Sequence, residues 1–408
     1  MSATPDGAGV PCAAPASPPL RIALLGRLGT PQLACLRSWR RAGVDAVFLH
    51  ADERALSPRV ARLLGVPAID LGPLRLDDDG FIAHLAGVLA ERRVTALTCV
   101  SEPIAEALWA SRARLPALLR IAAAHPAATL ALQSKAFQVE LARRCGLPTL
   151  PTWLLAPGQQ VKLPDAAFPV VARPDVARRA SPSFKLAVLP DRPALQRLVG
   201  AQHDGASAVI VQPLRRGPNL LVHGWRSADG RTAGQLGFDV RHKHRGLTVA
   251  MHPCPLPADI AAGCASMAEA LDLSGVFHFE FIVDAVSGQA HFVDLNPRLG
   301  GTTGKALAAG YDEPLALLAT LQPEVWPRAR WVAPRLRAAG GLHQAAGALV
   351  SALRGRSSAA DHPGPGLGPV LRAVAVQAIE ARDELLQPHG LRSLLGFALH
   401  HAAGRMAR

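Results

Sequence analysis

Residues 278–301, HFEFIVDAVSGQAHFVDLNPRLGG, decide the fold and carry most of the chemical information in the chain. Two apolar-rich segments flank the turn AVSGQ and predict a β-hairpin, with Glu280 on the first strand and Asp294 on the second. Alternate side chains of a strand share a face, so Asp294, Asn296 and Arg298 start on the same side. We therefore expect two carboxylates, an amide oxygen and a guanidinium to converge.

Three hard oxygen ligands beside an arginine suit a Mg²⁺–triphosphate site. Proteins usually hold Mg²⁺ with one or two carboxylates plus substrate phosphates, and a guanidinium neutralises developing phosphoryl charge. The alternative is that Asp294 and Arg298 form only a surface ion pair. Two carboxylates on a core hairpin flanked by Phe279, Phe281 and Val293 are costly unless a cation compensates them, which favours the metal site.

This hairpin resembles the E…(E/D)-x-N-P-R-x-G-G signature of the ATP-grasp superfamily, of the carboxylate–amine ligase type with a carbamoyl-phosphate-synthase-like grasp domain. Lys135, in a helix opening SKAF, is similar to the first phosphate lysine of that family. Arg173, in FPVVARP, lies where the family usually carries a second lysine. The order and spacing of these segments also fit, and the resemblance covers about residues 20–320.

The resemblance implies an enzyme, an ATP-dependent ligase that needs Mg²⁺ or Mn²⁺. It would activate a small-molecule carboxylate as an acyl phosphate, which an amine or related nucleophile then attacks, releasing ADP and phosphate. The implied roles are catalysis for Arg298, Lys135 and Arg173; nucleotide binding for Lys135, Arg173, Lys185, Gln212, Pro213, Leu214 and Asn219; and metal binding for Glu280, Asp294 and Asn296. Residues 175–185, which end with Lys185, would form a lid over the phosphates.

A basic segment, FDVRHKHRG, lies between the adenine-binding residues 212–214 and the metal hairpin. In related enzymes this region holds an anionic substrate, which suggests that role for Arg241, Lys243 and Arg245; a solvated basic strand edge is the alternative. The neighbouring histidines His242, His244 and His252 lack a fourth ligand at zinc-site spacing, so we interpret them as ordinary surface or core histidines.

Four departures from the family pattern favour nucleotide binding over turnover. Arg173 keeps the charge of lysine but not its point-charge geometry. Asp294 is one methylene shorter than the usual glutamate, Asn219 lacks the customary carboxylate, and the lid lacks the usual glycine cluster. A non-catalytic ATP-grasp protein that acts as a sensor or partner is therefore the alternative function.

The segment from residue 20 to 125 alternates short buried strands with helical patterns, beginning with RIALLG at Arg21. This alternation predicts a doubly wound α/β domain with a parallel sheet. Gly26 and Gly29 invite a dinucleotide-binding interpretation, but an ordinary strand-to-helix turn fits their spacing better. Glu102 follows a strand at its carboxyl end, where it could contact substrate or simply begin a helix beside Ser101.

The remaining segments predict an α+β ATP-grasp domain over residues 126–322, mostly antiparallel, with nucleotide between two subdomains. Residues 130–146 predict one helix. Residues 323–408 predict a mostly helical region with helices over 334–355, 371–386 and 391–408 and a Pro/Gly linker near 357–369. In the last helix, Leu394, Leu395 and Leu399 should pack onto the rest of the protein.

The composition argues against a disordered, a nucleic-acid-binding and a membrane-spanning protein. The chain has 408 residues, 49% hydrophobic and 18% charged, which predicts a folded protein of two or three units. Its net charge of +13 could suit nucleic acid, but an aromatic content of 4% does not. The six cysteines are scattered, and no apolar run is long enough to cross a membrane. We expect the Pro/Ala-rich arm over residues 1–19 to be disordered and not a signal peptide. These features favour a location in the cytoplasm. A homodimer is the expected assembly, since dimers are common in the family.

Overall fold

The computed structural model describes residues 20–356, 358, 361–364, 366–386 and 391–406. The predicted N-terminal arm, residues 1–19, lies outside this part of the chain. Among the described residues, none of the helices is long and apolar enough to cross a membrane.

The first unit is built on a five-stranded sheet whose pairs are all parallel, in the order β3-β2-β1-β4-β5. Ile22 and Leu24 pack on one face, whereas Ala23 and Leu25 pack on the other. Helices cover both faces, which is the arrangement that strand–helix alternation predicts. The elements are β1 Arg21–Gly26, α1 Thr30–Ala42, β2 Asp45–His50, α2 Pro58–Leu64, β3 Ala68–Asp70, α3 Asp79–Glu91, β4 Ala96–Cys99, α4 Glu102–Ala110 and β5 Arg120–Ile121.

The next segment forms a four-stranded antiparallel sheet, in the order β6-β9-β7-β8. Alternate residues of its strands, such as Val170 and Ala172, are buried against the helix that follows β8. The elements are α5 Pro126–Ala131, α6 Lys135–Arg144, β6 Trp153–Leu155, β7 Val170–Pro174, β8 Ala187–Leu189, α7 Arg192–Gly200 and β9 Val209–Pro213.

A larger sheet of seven strands follows, in the order β14-β13-β10-β11-β12-β15-β16. Gly217, with φ +151°, precedes β10 and lies close to the end of β13. A Cβ at this position would lie 1.9 Å from the carbonyl oxygen of Val283. The elements up to residue 321 are β10 Asn219–Arg226, β11 Ala233–His244, β12 Leu247–Cys254, α8 Ala258–Ala270, β13 Gly275–Val283, β14 Ala290–Asn296, α9 Thr303–Ala309 and α10 Glu313–Leu321.

The single helix expected over residues 130–146 is wrong, because the chain breaks between α5 and α6. Ser134 caps α6 by accepting a hydrogen bond from the backbone N–H of Phe137. Its hydroxyl also lies 2.9 Å from a carboxylate oxygen of Asp175, which directly follows β7. A serine that satisfies the free N–H groups of a helix start fixes where that helix begins, which places Lys135 at its first position.

The C-terminal region is less helical than expected. Residues 334–341 are not helical: β15 Ala339–Gly340 pairs with β12, and α11 Leu342–Leu353 follows. The second helix, α12 Leu367–Glu380, begins within the expected linker and ends early, because β16 Arg382–Asp383 pairs with β15. Glycines at 340 and 341 disfavour a helix, and the open edge of β12 supplies hydrogen-bond partners instead.

The last helix, α13 Leu391–Met406, packs on α2, but not with all three of the expected leucines. Leu399 packs against the apolar core as expected, whereas Leu395 is 50% exposed. Gly396 lies so close to α2 that a Cβ would stand 2.9 Å from Leu63. The expectation is therefore wrong for Leu395, and the close approach at Gly396 adds a contact that it did not include.

An ion pair between Lys305 of α9 and Glu384, just after β16, joins the C-terminal segment to the grasp domain. Their charged atoms are 2.9 Å apart, and both side chains are almost completely buried. A buried charge that loses its partner carries the full cost of desolvation, whereas replacing both charges by apolar groups does not.

We expect Lys305→Met to lower the free energy of unfolding by about 3–5 kcal/mol, since it leaves the Glu384 carboxylate buried without its cation. The double variant Lys305→Met/Glu384→Leu should recover most of that loss. Urea unfolding of the wild type and the two variants measures both values. A double variant no more stable than the single one would contradict a dominant role for the unpaired charge.

Candidate active site

Two carboxylates stand directly opposite each other at the centre of the candidate site. Glu280 on β13 pairs in register with Asp294 on β14, so their side chains lie on the same face of the seven-stranded sheet. Burial, and then the negative charge of Asp294, raises the pKa of Glu280 above its ordinary value. Two like charges this close need compensation, and cationic or donor groups from four other segments supply it.

Lys135 compensates Asp294. Its Nζ lies 2.5 Å from Oδ1 of Asp294, and both side chains are about one-fifth exposed. Asp175, the first residue of the lid (residues 175–185), holds the lysine in place by accepting hydrogen bonds from Ser134 and from the backbone N–H of Ala136. Asp175 is thus a positioning residue that the sequence did not single out.

Asn219 and Lys243 compensate Glu280. The amide nitrogen of Asn219 donates to Glu280, and Nζ of Lys243 donates to the Asn219 oxygen at 2.7 Å. Lys243 is buried, and burial lowers its pKa although Glu280 opposes this effect. Asn219 thus connects a buried cation, Lys243, to a buried acid, Glu280.

Arg173 and Gln212 lie beside this pair on the smaller sheet. Nη2 of Arg173 is 3.3 Å both from Oε1 of Gln212 and from the carbonyl oxygen of Val293, so the guanidinium spans the two sheets. Pro213 and Leu214 complete the segment expected to bind adenine. The Leu214 N–H donates to the Pro169 carbonyl at 2.8 Å, which fixes this segment against β7.

Arg298 extends toward the first unit. Its Nε lies 2.9 Å from a carboxylate oxygen of Glu102, at the start of α4, and its Nη2 donates to Oδ1 of Asn296 at 3.2 Å. The carboxyl edge of the parallel sheet therefore borders the β13–β14 hairpin. Glu102 is 40% exposed, so an anionic ligand arriving from solvent could compete with it for the guanidinium.

Three of the expected site residues remain at the surface. Arg241 pairs with Asp239 at 3.0 Å, and Arg245 lies in an exposed turn. The alternative of a solvated basic strand edge therefore describes these two arginines. Of the three basic residues, only Lys243 is buried. Irregular pairing of β11 with β12 near residues 239–243 breaks the alternation that would have placed Arg241 and Lys243 on one face. Lys185 is exposed on the lid.

A buried cluster that the sequence analysis missed lies beside the carboxylate pair, because His278 is two residues from Glu280 and its side chain lies on the same face of the sheet. Glu313 accepts hydrogen bonds from His223 at 2.9 Å, from His278 and, on its other oxygen, from Thr303 at 2.5 Å. Burial alone would raise the pKa of Glu313, but the two imidazoles hold it well below its ordinary value. His278 pairs in register with Asn296, so this cluster adjoins the strand positions of Asn296 and Glu280 in the candidate site. The position of His278 two residues before Glu280 was the available signal.

Of the histidines in and near the basic segment, His244 and His242 have polar side-chain partners. His244 contacts both Asp361 and Ser351 at 3.1 Å, and His242 is buried near Gln377. His252 is partly buried on β12. Their contacts match the interpretation of these residues as ordinary surface or core histidines.

The compensated carboxylate pair should make the ligand-free protein less stable at high pH than at low pH. A group whose folded pKa is raised contributes stability below its unfolded pKa and loses that contribution as the pH rises through the folded pKa. We expect Glu280→Gln, which cannot ionise, to unfold at a higher urea concentration than the wild type at pH 8, with a smaller difference at pH 5.

Glu269→Gln, on the exposed surface of α8, is the matched control and should leave the urea midpoint unchanged at both pH values. A Glu280→Gln protein less stable than the wild type at pH 8 would show that the Glu280 carboxylate stabilises the fold.

No protein-family model matches the sequence, and no curated protein is similar enough in sequence to match it. Solved structures are similar in fold. An ADP complex of N5-carboxyaminoimidazole ribonucleotide synthetase matches with a TM-score of 0.62 and 14% identity, over 89% of this chain and 98% of that chain. Pyruvate carboxylase from Rhizobium etli matches with a TM-score of 0.61 and 18% identity, over 79% of this chain but only 32% of that chain.

An L-amino acid ligase from Bacillus licheniformis matches with a TM-score of 0.56 and 14% identity, over 75% of each chain. At these identities the similarity shows the fold alone. The chain has the ATP-grasp fold that its sequence motif indicated.

Proposed function

We propose that this protein is an ATP-dependent ligase that activates a small-molecule carboxylate as an acyl phosphate and transfers the acyl group to an amine or related nucleophile. The observation that carries the proposal is the opposed pair Glu280 and Asp294, with Lys135 and Arg173 reaching it from two other segments. Such a cluster is costly without a ligand, and MgATP is the ligand whose charges it complements.

Lys135 and Arg173 would bind the α- and β-phosphate oxygens of ATP. Both cations already lie at the carboxylate pair: Lys135 contacts Asp294, and Arg173 donates to the carbonyl next to it. The segment Gln212–Leu214 would bind adenine. Lys185 and the lid would cover the phosphates, a role that their exposure allows.

The donor set fits Mg²⁺. Glu280, Asp294 and Asn296 offer carboxylate and amide oxygens, the hard ligands that Mg²⁺ prefers, and phosphate oxygens and water would complete the coordination. Burial, and then the charge of Asp294, raises the pKa of Glu280, and a divalent cation would reduce the repulsion between the two carboxylates. When bound, the metal would neutralise charge on the transferring phosphoryl group.

The chemistry follows from this charge distribution. A substrate carboxylate oxygen attacks the γ-phosphorus in line, the bond from phosphorus to the ADP oxygen breaks, and an acyl phosphate forms. The amine then attacks the acyl carbon, and inorganic phosphate leaves. Arg298 would hold the phosphoryl oxygens in both steps once the incoming anion displaces Glu102.

Two of the structurally similar proteins, the L-amino acid ligase and the ribonucleotide synthetase, carry names that support a ligase reaction for this fold. They support the reaction class for this chain without identifying its substrates. Lys243, the one inward-facing cation of the basic segment, is our candidate for contact with an anionic substrate.

The test is release of inorganic phosphate from MgATP with a panel of carboxylates, namely bicarbonate and the protein-forming L-amino acids, with hydroxylamine as the trapping nucleophile. We expect at least one carboxylate to stimulate phosphate release and to yield a hydroxamate. Asp294→Ala should lower kcat/KM for that carboxylate by at least about 10²-fold, because it removes a proposed ligand of the Mg²⁺ that would neutralise the γ-phosphoryl charge.

Lys135→Met should cause a loss of similar size, whereas Arg143→Met, on the exposed face of the same helix, should have no effect. Unchanged turnover in Asp294→Ala would contradict the proposed site. MgATP binding without stimulation by any member of the panel would favour the non-catalytic alternative, a nucleotide-binding sensor.

A further inference from the structure

A second cluster of potential ligands lies at the carboxyl edge of the parallel sheet, away from the carboxylate pair. His50 ends β2, Asp52 follows it by two residues, and His400 comes from α13. One potential ligand atom from each of the three side chains lies within 4.8 Å of the other two. Two segments almost 350 residues apart in sequence thus bring two imidazoles and a carboxylate together.

The hydrogen bonding of His50 is unusual for a buried histidine. Nδ1 lies 3.4 Å from Oδ1 of Asp70, while Nε2 is buried and has no hydrogen-bond partner. Asp70 is itself held by the backbone N–H groups of Leu56 at 2.5 Å and Gly72 at 3.0 Å. A histidine oriented by a carboxylate through one nitrogen, with the other nitrogen free, is the arrangement that metal-binding histidines adopt.

His400 completes the cluster from the helix side. Its ring is 5.4 Å from that of His50 and almost perpendicular to it, and the side chain is buried. Arg54 donates to the backbone carbonyl of His400 at 2.5 Å and fixes this turn of α13.

We propose that His50, Asp52 and His400 bind one Zn²⁺ ion, which fastens α13 to the carboxyl edge of the parallel sheet. Two imidazoles and a carboxylate are donors that suit Zn²⁺, which is usually four-coordinate, and water would take the fourth position. The partly exposed Asp52 leaves a route for the ion to enter. This site is separate from the proposed ligase chemistry and does not depend on it.

The geometry requires only local adjustment. Tetrahedral ligands at about 2.0–2.1 Å from zinc are about 3.4 Å apart, so the side chains must approach one another by about 1 Å. Asp70, a positioning residue, would keep Nε2 of His50 directed at the ion. The charge of the ion would be balanced by Asp52 in contact with it and by Asp70 one step away.

The test is binding of Zn²⁺ to full-length protein stripped with a chelator, measured by equilibrium dialysis with metal analysis. We expect one Zn²⁺ per chain in the wild type. His50→Gln and His400→Gln should each weaken binding by at least about 10-fold, and Asp70→Asn should weaken it by about 10–100-fold. His84→Gln, at an exposed histidine of α3, is the matched control and should bind like the wild type.

Amide hydrogen exchange distinguishes an ion that only binds from an ion that also holds α13 against the parallel sheet. Zn²⁺ should slow amide hydrogen exchange over residues 391–406 in the wild type and in His84→Gln, but not in His400→Gln. Absence of stoichiometric binding, binding that His50→Gln and His400→Gln leave unchanged, or binding without protection of α13 would each overturn the proposal.

Discussion

The repulsion between Glu280 and Asp294 is the constraint on which the rest of the site depends. Register pairing across β13 and β14 leaves the two carboxylates no way to separate, since moving either strand by one residue would turn it toward the opposite face. Each acid is therefore matched by a lysine, Lys135 for Asp294 and Lys243, through Asn219, for Glu280. We propose that a cation and phosphates complete this compensation, which would favour their binding at the carboxylate pair.

The surrounding fold keeps these groups in place. Ser134 and Asp175 fix the start of α6 and so the position of Lys135. Glu313 contacts His278 on β13 and His223 on β10, and so holds these two strands together beside Glu280. Asp312, next to Glu313, binds Ser38 and Arg41 of the first unit, each at 2.5 Å. One continuous apolar core then joins the parallel sheet to the face of the large sheet that carries Glu280. The Glu102–Arg298 pair crosses the same boundary, so the two units are positioned to build one site.

Much of this could be predicted from the sequence, because periodicity and short motifs report local structure. The hairpin and the alternating strands and helices of the first unit follow from such patterns. The expectation that Lys135 and Arg173 lie near the carboxylates came from the resemblance to the ATP-grasp family. The errors have physical causes that lie outside any local window. The pairing irregularity in β11 turned Arg241 to solvent, the open edge of β12 converted residues 339–340 from helix to strand, and the contact of Ser134 with Asp175 divided one expected helix into two. His223, His278 and Glu313 were missed because only the tertiary fold brings them together.

The central claim, that the carboxylate pair is a MgATP site, is tested most directly by thermal unfolding of the wild type and the double variant Glu280→Gln/Asp294→Asn. Each protein is measured with ATP plus Mg²⁺, with ATP plus a chelator, and alone. A ligand at about one hundred times its Kd stabilises the folded state by roughly 2.7 kcal/mol, which raises the Tm by several degrees. If the carboxylate pair binds MgATP, the Tm of the wild type rises with ATP plus Mg²⁺. This rise is lost when a chelator replaces Mg²⁺ and in the double variant. An ATP-dependent rise that needs no metal, or that survives in the double variant, would contradict it.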